Sequence, residues 1–243
     1  MKYTFQNFKK RAGIVGMMCL LTGLLSSCLK DHDNGHYVDE PVALVSVINA
    51  SPDVQPVNFF LDQNRANSQP ISYGHGIDYI NAFTGKRVAT FSLSGSGSQQ
   101  KIKSDTINLT AKKLYSVYLA NLASTPDIIL FADSITRPDP GKATIRLVNV
   151  SPDAGAVDLA IKGSSTVLAS GNVYKTASPF IPVQGNSAYT LEIRKAGTAT
   201  VLVTLTDIKV NSGSVYTVWL QGLAAATDQK KLEAHMQTNA FYY

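Results

Sequence analysis

Val45-Ser46-Val47-Ile48-Asn49-Ala50-Ser51-Pro52-Asp53 returns one hundred residues later as Ile145-Arg146-Leu147-Val148-Asn149-Val150-Ser151-Pro152-Asp153. The Asn, Ser, Pro and Asp coincide, and the match runs on through Val57 with Val157, Leu61 with Ile161 and Gly85 with Gly185. It then slips by one residue, so that Leu114-Tyr115-Ser116-Val117-Tyr118-Leu119 meets Val215-Tyr216-Thr217-Val218-Trp219-Leu220. Collinearity over that length reads as a duplicated domain. In both opening stretches apolar residues alternate, Val45 and Val47 around Ser46, Ile145 and Leu147 around Arg146. That is the period of a half-buried strand.

Further β-branched and aromatic runs occupy residues 88–93, 106–109, 115–119 and 128–131, with counterparts at 189–193, 205–210, 216–220 and 232–236. Gly, Asn, Ser and Pro separate them, and no stretch has helical period. About seven short strands per copy predict an all-β protein of two tandem immunoglobulin-like β-sandwich domains. The expected boundaries are 41–136 for the first sandwich and 142–239 for the second, with a hinge at 137–141, rich in Pro and Gly, and a C-terminal tail at 240–243. Tyr115 and Tyr216 open matched strands just after a turn, where such sandwiches place a tyrosine whose hydroxyl ties down a neighbouring connection.

Three features, the Asn-x-Ser-Pro-Asp start, the later Gly before a strand and the Gly/Ser-x-x-Tyr lead into a penultimate strand, resemble the bacterial domain of unknown function 4397. The resemblance covers both copies and is closer in the second, which keeps Ser212-Gly213-Ser214-Val215-Tyr216 where the first has Ala111-Lys112-Lys113-Leu114-Tyr115. It implies an extracytoplasmic β-sandwich, often in tandem, without an established chemistry.

The N-terminus reads as an address. Lys2, Lys9, Lys10 and Arg11 precede an apolar run from Ala12 to Leu25, too short for a membrane-spanning helix and suited to a signal peptide. Leu25-Ser26-Ser27-Cys28 resembles a lipobox, which implies removal of residues 1–27 and lipidation of Cys28. Residues 28–40 are then a flexible tether. Its Lys30-Asp31-His32-Asp33 resembles the surface-export signal of Bacteroidetes lipoproteins, which implies a cell-surface, outer-membrane location, with a periplasm-facing anchor as the alternative. Taking the four basic residues from the 22 Lys and Arg leaves 18 against 17 Asp and Glu. The mature chain is close to neutral, which argues against nucleic acid as a partner. Cys19 falls in the discarded segment and Cys28 goes to lipid, so neither serves a disulfide.

Chemistry-bearing motifs are few. Asn49, Ser51, Pro52 and Asp53, with Asn149, Ser151, Pro152 and Asp153, offer oxygen ligands, but the spacing is that of turns whose side chains bond local backbone N–H groups, and no metal or cofactor is expected. His75 and His235 have no catalytic signature beside them, and an enzyme is not expected. Candidate ligand contacts are aromatic. Tyr118 and Trp219 lie three residues beyond the inward tyrosines, hence on the opposite, outward face. Tyr73, Tyr79, Phe83, Tyr174 and Phe180 fall in irregular middle segments read as loops, where sandwiches carry recognition. The expected role is an outer-membrane-anchored binding or adhesion module for glycan or an envelope protein. The alternative is a structural spacer or accessory subunit of an envelope complex.

Overall fold

The computed structural model describes residues 40–95 and 100–243; the signal segment, Cys28 and nearly all of the tether lie outside them. Every regular element there is a strand. The first repeat contributes β1 (Val42–Asn49), β2 (Val57–Leu61), β3 (Asn64–Arg65), β4 (His75–Phe83), β5 (Gly85–Leu93), β6 (Lys101–Leu109), β7 (Leu114–Ala120) and β8 (Asp127–Asp133). The second contributes β9 (Lys142–Asn149), β10 (Val157–Ile161), β11 (Val167–Asn172), β12 (Thr176–Ala177), β13 (Ile181–Gln184), β14 (Ser187–Lys195), β15 (Val201–Val210), β16 (Ser214–Gln221) and β17 (Glu233–Phe241).

Sheet order β4-β1-β7-β8 faces β3-β2-β5-β6 in the first sandwich, and β12-β9-β16-β17, with β13 also on β9, faces β11-β10-β14-β15 in the second. The opening strand runs parallel to the penultimate one in each, with Val45 opposite Tyr115 and Ile145 opposite Tyr216. The inward residues of the quoted repeat fill separate cores. Val45, Val47, Phe59, Phe91 and Val117 pack in the first, and Ile145, Leu147, Leu159, Leu191 and Val218 in the second.

Identical turn chemistry follows each opening strand. The Asn49 carboxamide accepts the Ser51 N–H and donates to the Ile71 carbonyl, while the Ser51 hydroxyl donates to the Asn121 carbonyl and Asp53 accepts from the Ala123 N–H. One repeat on, Asn149 accepts the Ser151 N–H, Ser151 donates to the Gly222 carbonyl, and Asp153 accepts from Ala224 and Ala225. The motif thus lashes the end of β1 or β9 to the connection after β7 or β16, satisfying backbone groups that the ladder leaves open. Tyr115 and Tyr216 accept the N–H five residues upstream, from Thr110 at 3.1 Å and Asn211 at 3.0 Å.

The structure departs from the sequence reading in three places. Residues 75–83, read as a loop, are a nine-residue strand on β1. A bulge opposite Ser46 shifts the register between Ile77 and Ile80, which breaks the period-two signal. Gly76 is used because a Cβ there would meet Ile48 at 2.9 Å. The last strand runs to Phe241, into the expected tail. Residues 137–141 are no free hinge, because 41–243 form one compact unit. The outward faces of the β1 and β9 sheets close on each other, burying Ile48, Tyr118, Ile129, Val148 and Trp219 in a third apolar cluster. Four sheets therefore stack, with this seam at the centre.

Candidate functional site

Six of the seven candidate aromatics lie at the seam. Tyr118 is 0% and Trp219 3% exposed, so neither presents a face to a ligand. Alternation did carry them outward from their own sandwiches, but each became the other's cover, with ring centroids 6.4 Å apart. Phe131 meets Tyr118 edge-on and His235 stacks on Trp219, whose indole N–H donates to Gln221. Tyr79 on β4 donates to Asp133 at 2.6 Å and accepts from Asn239 of β17 at 3.0 Å. Burial first, then the Asp133 charge, pushes its hydroxyl pKa up. Tyr174 reaches back from the second sandwich to Asp127 at 2.7 Å, where Lys175 also binds at 2.9 Å. Desolvation opposes ionisation of Asp127, yet Lys175 and the Tyr174 hydroxyl outweigh it and hold the carboxyl below its ordinary range. Tyr73 is half-buried; burial first, then the Glu233 charge, raises its pKa. Phe180 lies under the Arg146 guanidinium at 4.7 Å.

The polar centre of the seam was not foreseen. Arg146 and Asp133, with side chains 2% and 0% exposed, form an ion pair at 2.6 Å. Arg146 also donates to Thr217 at 2.8 Å, and Ser116 donates to Asp133 at 2.7 Å. Thr217 passes its hydrogen bond to Asn239 at 2.6 Å, and Gln237 of β17 donates to Ser46 at 3.3 Å. An outward arginine on a strand ordinarily signals solvent, so only the facing first sandwich reveals its burial.

His235 sits where the seam meets solvent. Desolvation lowers its pKa from the ordinary 6.5 and His75 lowers it further, while Glu233, 3.6 Å away, works in the opposite direction. The unfolded chain therefore takes up the proton more readily than the folded one, so stability falls as pH drops below about 6.5. Urea midpoints at pH 7.5 and 5.5 should differ more in the wild type than in His235→Gln. Equal differences would remove His235 from the account.

Of the seven candidate aromatics Phe83 alone reaches open solvent, at 56% exposure, on the rim of a cleft of about 300 Å³ at the open side of the first sandwich. Half-buried Leu61, Ala66 and Ile80 form its floor, and Asn64, Arg65 and Asn81 its exposed wall. Arg87 braces Phe83: its guanidinium donates to the carbonyls of Phe83 at 3.1 Å and Thr84 at 2.7 Å, pairs with Asp62 at 3.3 Å, and lies over the ring at 6.0 Å. Asp62, in the left-handed region at φ 56°, also accepts the Val88 N–H. Arg87 and Asp62 thus neutralise each other, and among the described residues the side-chain carboxamides of Asn64 and Asn81 have no hydrogen-bond partner. The matching cleft of the second sandwich, about 430 Å³ between β11 and residues 176–181, has no aromatic wall. Its Asn172, Thr176 and Ser178 are engaged with backbone carbonyls. Among the described residues, no three His, Cys, Asp or Glu side chains converge as a metal site would require.

This duplicated sandwich, with its paired Asn-x-Ser-Pro-Asp clamps, can be set beside known proteins. A DUF4397 domain, a domain of unknown function, spans residues 43–160. The DUF4397 match thus covers β1 through β8 of the first sandwich and continues across β9 and most of β10. No curated protein matches the sequence. Solved structures with some likeness include a family 26 carbohydrate-binding module from Eubacterium rectale in complex with maltoheptaose, at 8% identity and TM-score 0.25, covering 82% of this chain and 97% of the other. A candidate cell adhesion protein from Bacteroides fragilis aligns at 8% identity and TM-score 0.21, covering 84% and 99%.

Proposed function

We propose that this protein is a lipid-anchored envelope lipoprotein of the Bacteroidetes type, built from two DUF4397-like sandwiches, that binds a glycan at the Phe83 cleft without turning it over. The carrying observation is the cleft's chemistry: an exposed aromatic ring beside two unengaged carboxamides, over an apolar floor, with the Arg87–Asp62 pair that braces the rim neutralised internally. A sugar presents an apolar C–H face to stack on an aromatic ring and hydroxyls to pair with amides. Cys28 supplies the anchor in this reading, and the outer leaflet of the outer membrane is the proposed location.

A soluble form starting at Glu40 should bind neutral oligosaccharides on a glycan array, and Phe83→Ala should weaken the best of them about tenfold, on the order of 1.4 kcal/mol, with unchanged thermal unfolding. An array without signal, or equal binding by the variant, would sink the reading. The spacer alternative is favoured by one observation, the buried seam that joins residues 41–243 in one compact unit. Recovery of a stoichiometric envelope partner with no glycan signal would select it.

A further inference from the structure

The seam is nearly two-fold symmetric. Val117 pairs with Leu130 and Val218 with Met236, so β8 and β17 occupy equivalent places and Asp127 corresponds to Glu233 and Ile129 to His235. Contacts across the seam follow the same rule. β4 of the first sandwich and the residue before it lie over β17, through Tyr79 with Asn239 and Gly74 against His235. The segment before β12 of the second lies over β8, through Tyr174 and Lys175 with Asp127. Each surface therefore meets the equivalent patch of the other, the geometry of an isologous dimer interface.

Symmetry fails in the polar centre. Ser46 corresponds to Arg146 by strand register, and Asn239, at a bulge in β17, takes the place of Asp133 by accepting from Thr217 as Asp133 accepts from the matching Ser116. A first-with-second pairing buries one Asp133 against one Arg146. Two first repeats would bury two Asp133 carboxylates facing Ser46, with no cation. Two second repeats would bury two Arg146 guanidinium groups facing Asn239, with no carboxylate. Buried charges left without a partner are among the costliest defects an interface can carry, whereas a satisfied pair is close to neutral against an apolar one. The pair consequently acts on specificity more than on affinity.

We infer that the seam is a dimer interface internalised by gene duplication, and that the Asp133–Arg146 pair makes it accept only a complementary repeat, including one from a second copy of the chain. The partner chemistry is specific: a sheet face carrying an aromatic at the place of Tyr118 or Trp219 and the opposite charge at the polar centre.

The test uses the whole chain with a protease site within residues 137–141, cut after folding. Both halves should co-elute after the cut. When nicked protein is mixed with a size-tagged nicked copy, native mass spectrometry should show exchanged first-with-second pairs and essentially no like pairs. Asp133→Asn, close to isosteric, should weaken nicked pairing at least about tenfold and admit first-with-first pairs. Arg146→Lys, which keeps the charge but cannot reach Asp133 and Thr217 together, should fall between. Halves that separate on cutting would overturn the interface. Abundant like pairs in the wild type, or an Asp133→Asn protein indistinguishable from it, would overturn the pairing rule.

Discussion

Arg146→Met is expected to lower the unfolding free energy by about 3–5 kcal/mol, because it leaves Asp133 fully buried with hydroxyl donors and no cation. Ser116 and Tyr79 still point at the carboxylate, but hydrogen bonds alone do not replace the charge at 2.6 Å. In a protein of this size that loss moves the melting temperature by roughly 10 °C. Thermal and urea unfolding of the 40–243 protein measure it. The companion Asp133→Leu/Arg146→Met should recover most of the loss, since an apolar pair of similar volume carries no desolvation penalty. A single substitution that proves nearly silent would mean the pair is solvated, against its observed burial.

Trp219→Ala is expected to cost a similar amount, about 3–5 kcal/mol, for a different reason. The indole fills the space between the two sandwiches, touching Tyr118 on one side and stacking on His235 on the other, and its N–H leaves Gln221 with an unpaired acceptor when removed. The cavity lies between repeats and not within either core, so the loss should appear as loosened coupling. Hydrogen exchange should rise across β7, β16 and β17 before it rises in β5 or β14. Protection lost evenly through the chain would argue that the seam and cores unfold together.

How far the sequence reached can be seen residue by residue. The opening strands, the Asn-Ser-Pro-Asp clamps and the Tyr115 and Tyr216 positions were legible because alternation and constant offset are local signals. β4 was not, since its bulge and its Gly76, Asp78 and Asn81 mimic loop composition. Alternation places Tyr118 and Trp219 on outward faces, yet burial is decided by what lies opposite, and for Tyr118 that is another repeat. The change from Ser46 to Arg146 carries no local signal of burial, because the partner carboxylate, Asp133, belongs to the other repeat. Phe83 stood among the candidates, but nothing in the string distinguished it from Tyr79, four residues earlier, which faces the seam.

One further property follows from β1 lying inside its sheet, antiparallel to β4 and parallel to β7. A pull at Pro41 directed along the strand axis loads the ladders from Val42 to Asn49 on both flanks in shear, all at once, instead of peeling them bond by bond. Mechanical failure then requires the whole strand to slide against two neighbours with Val45 and Val47 still embedded in the core. A domain held from its N-terminal side is thereby fastened by the strand best placed to bear load.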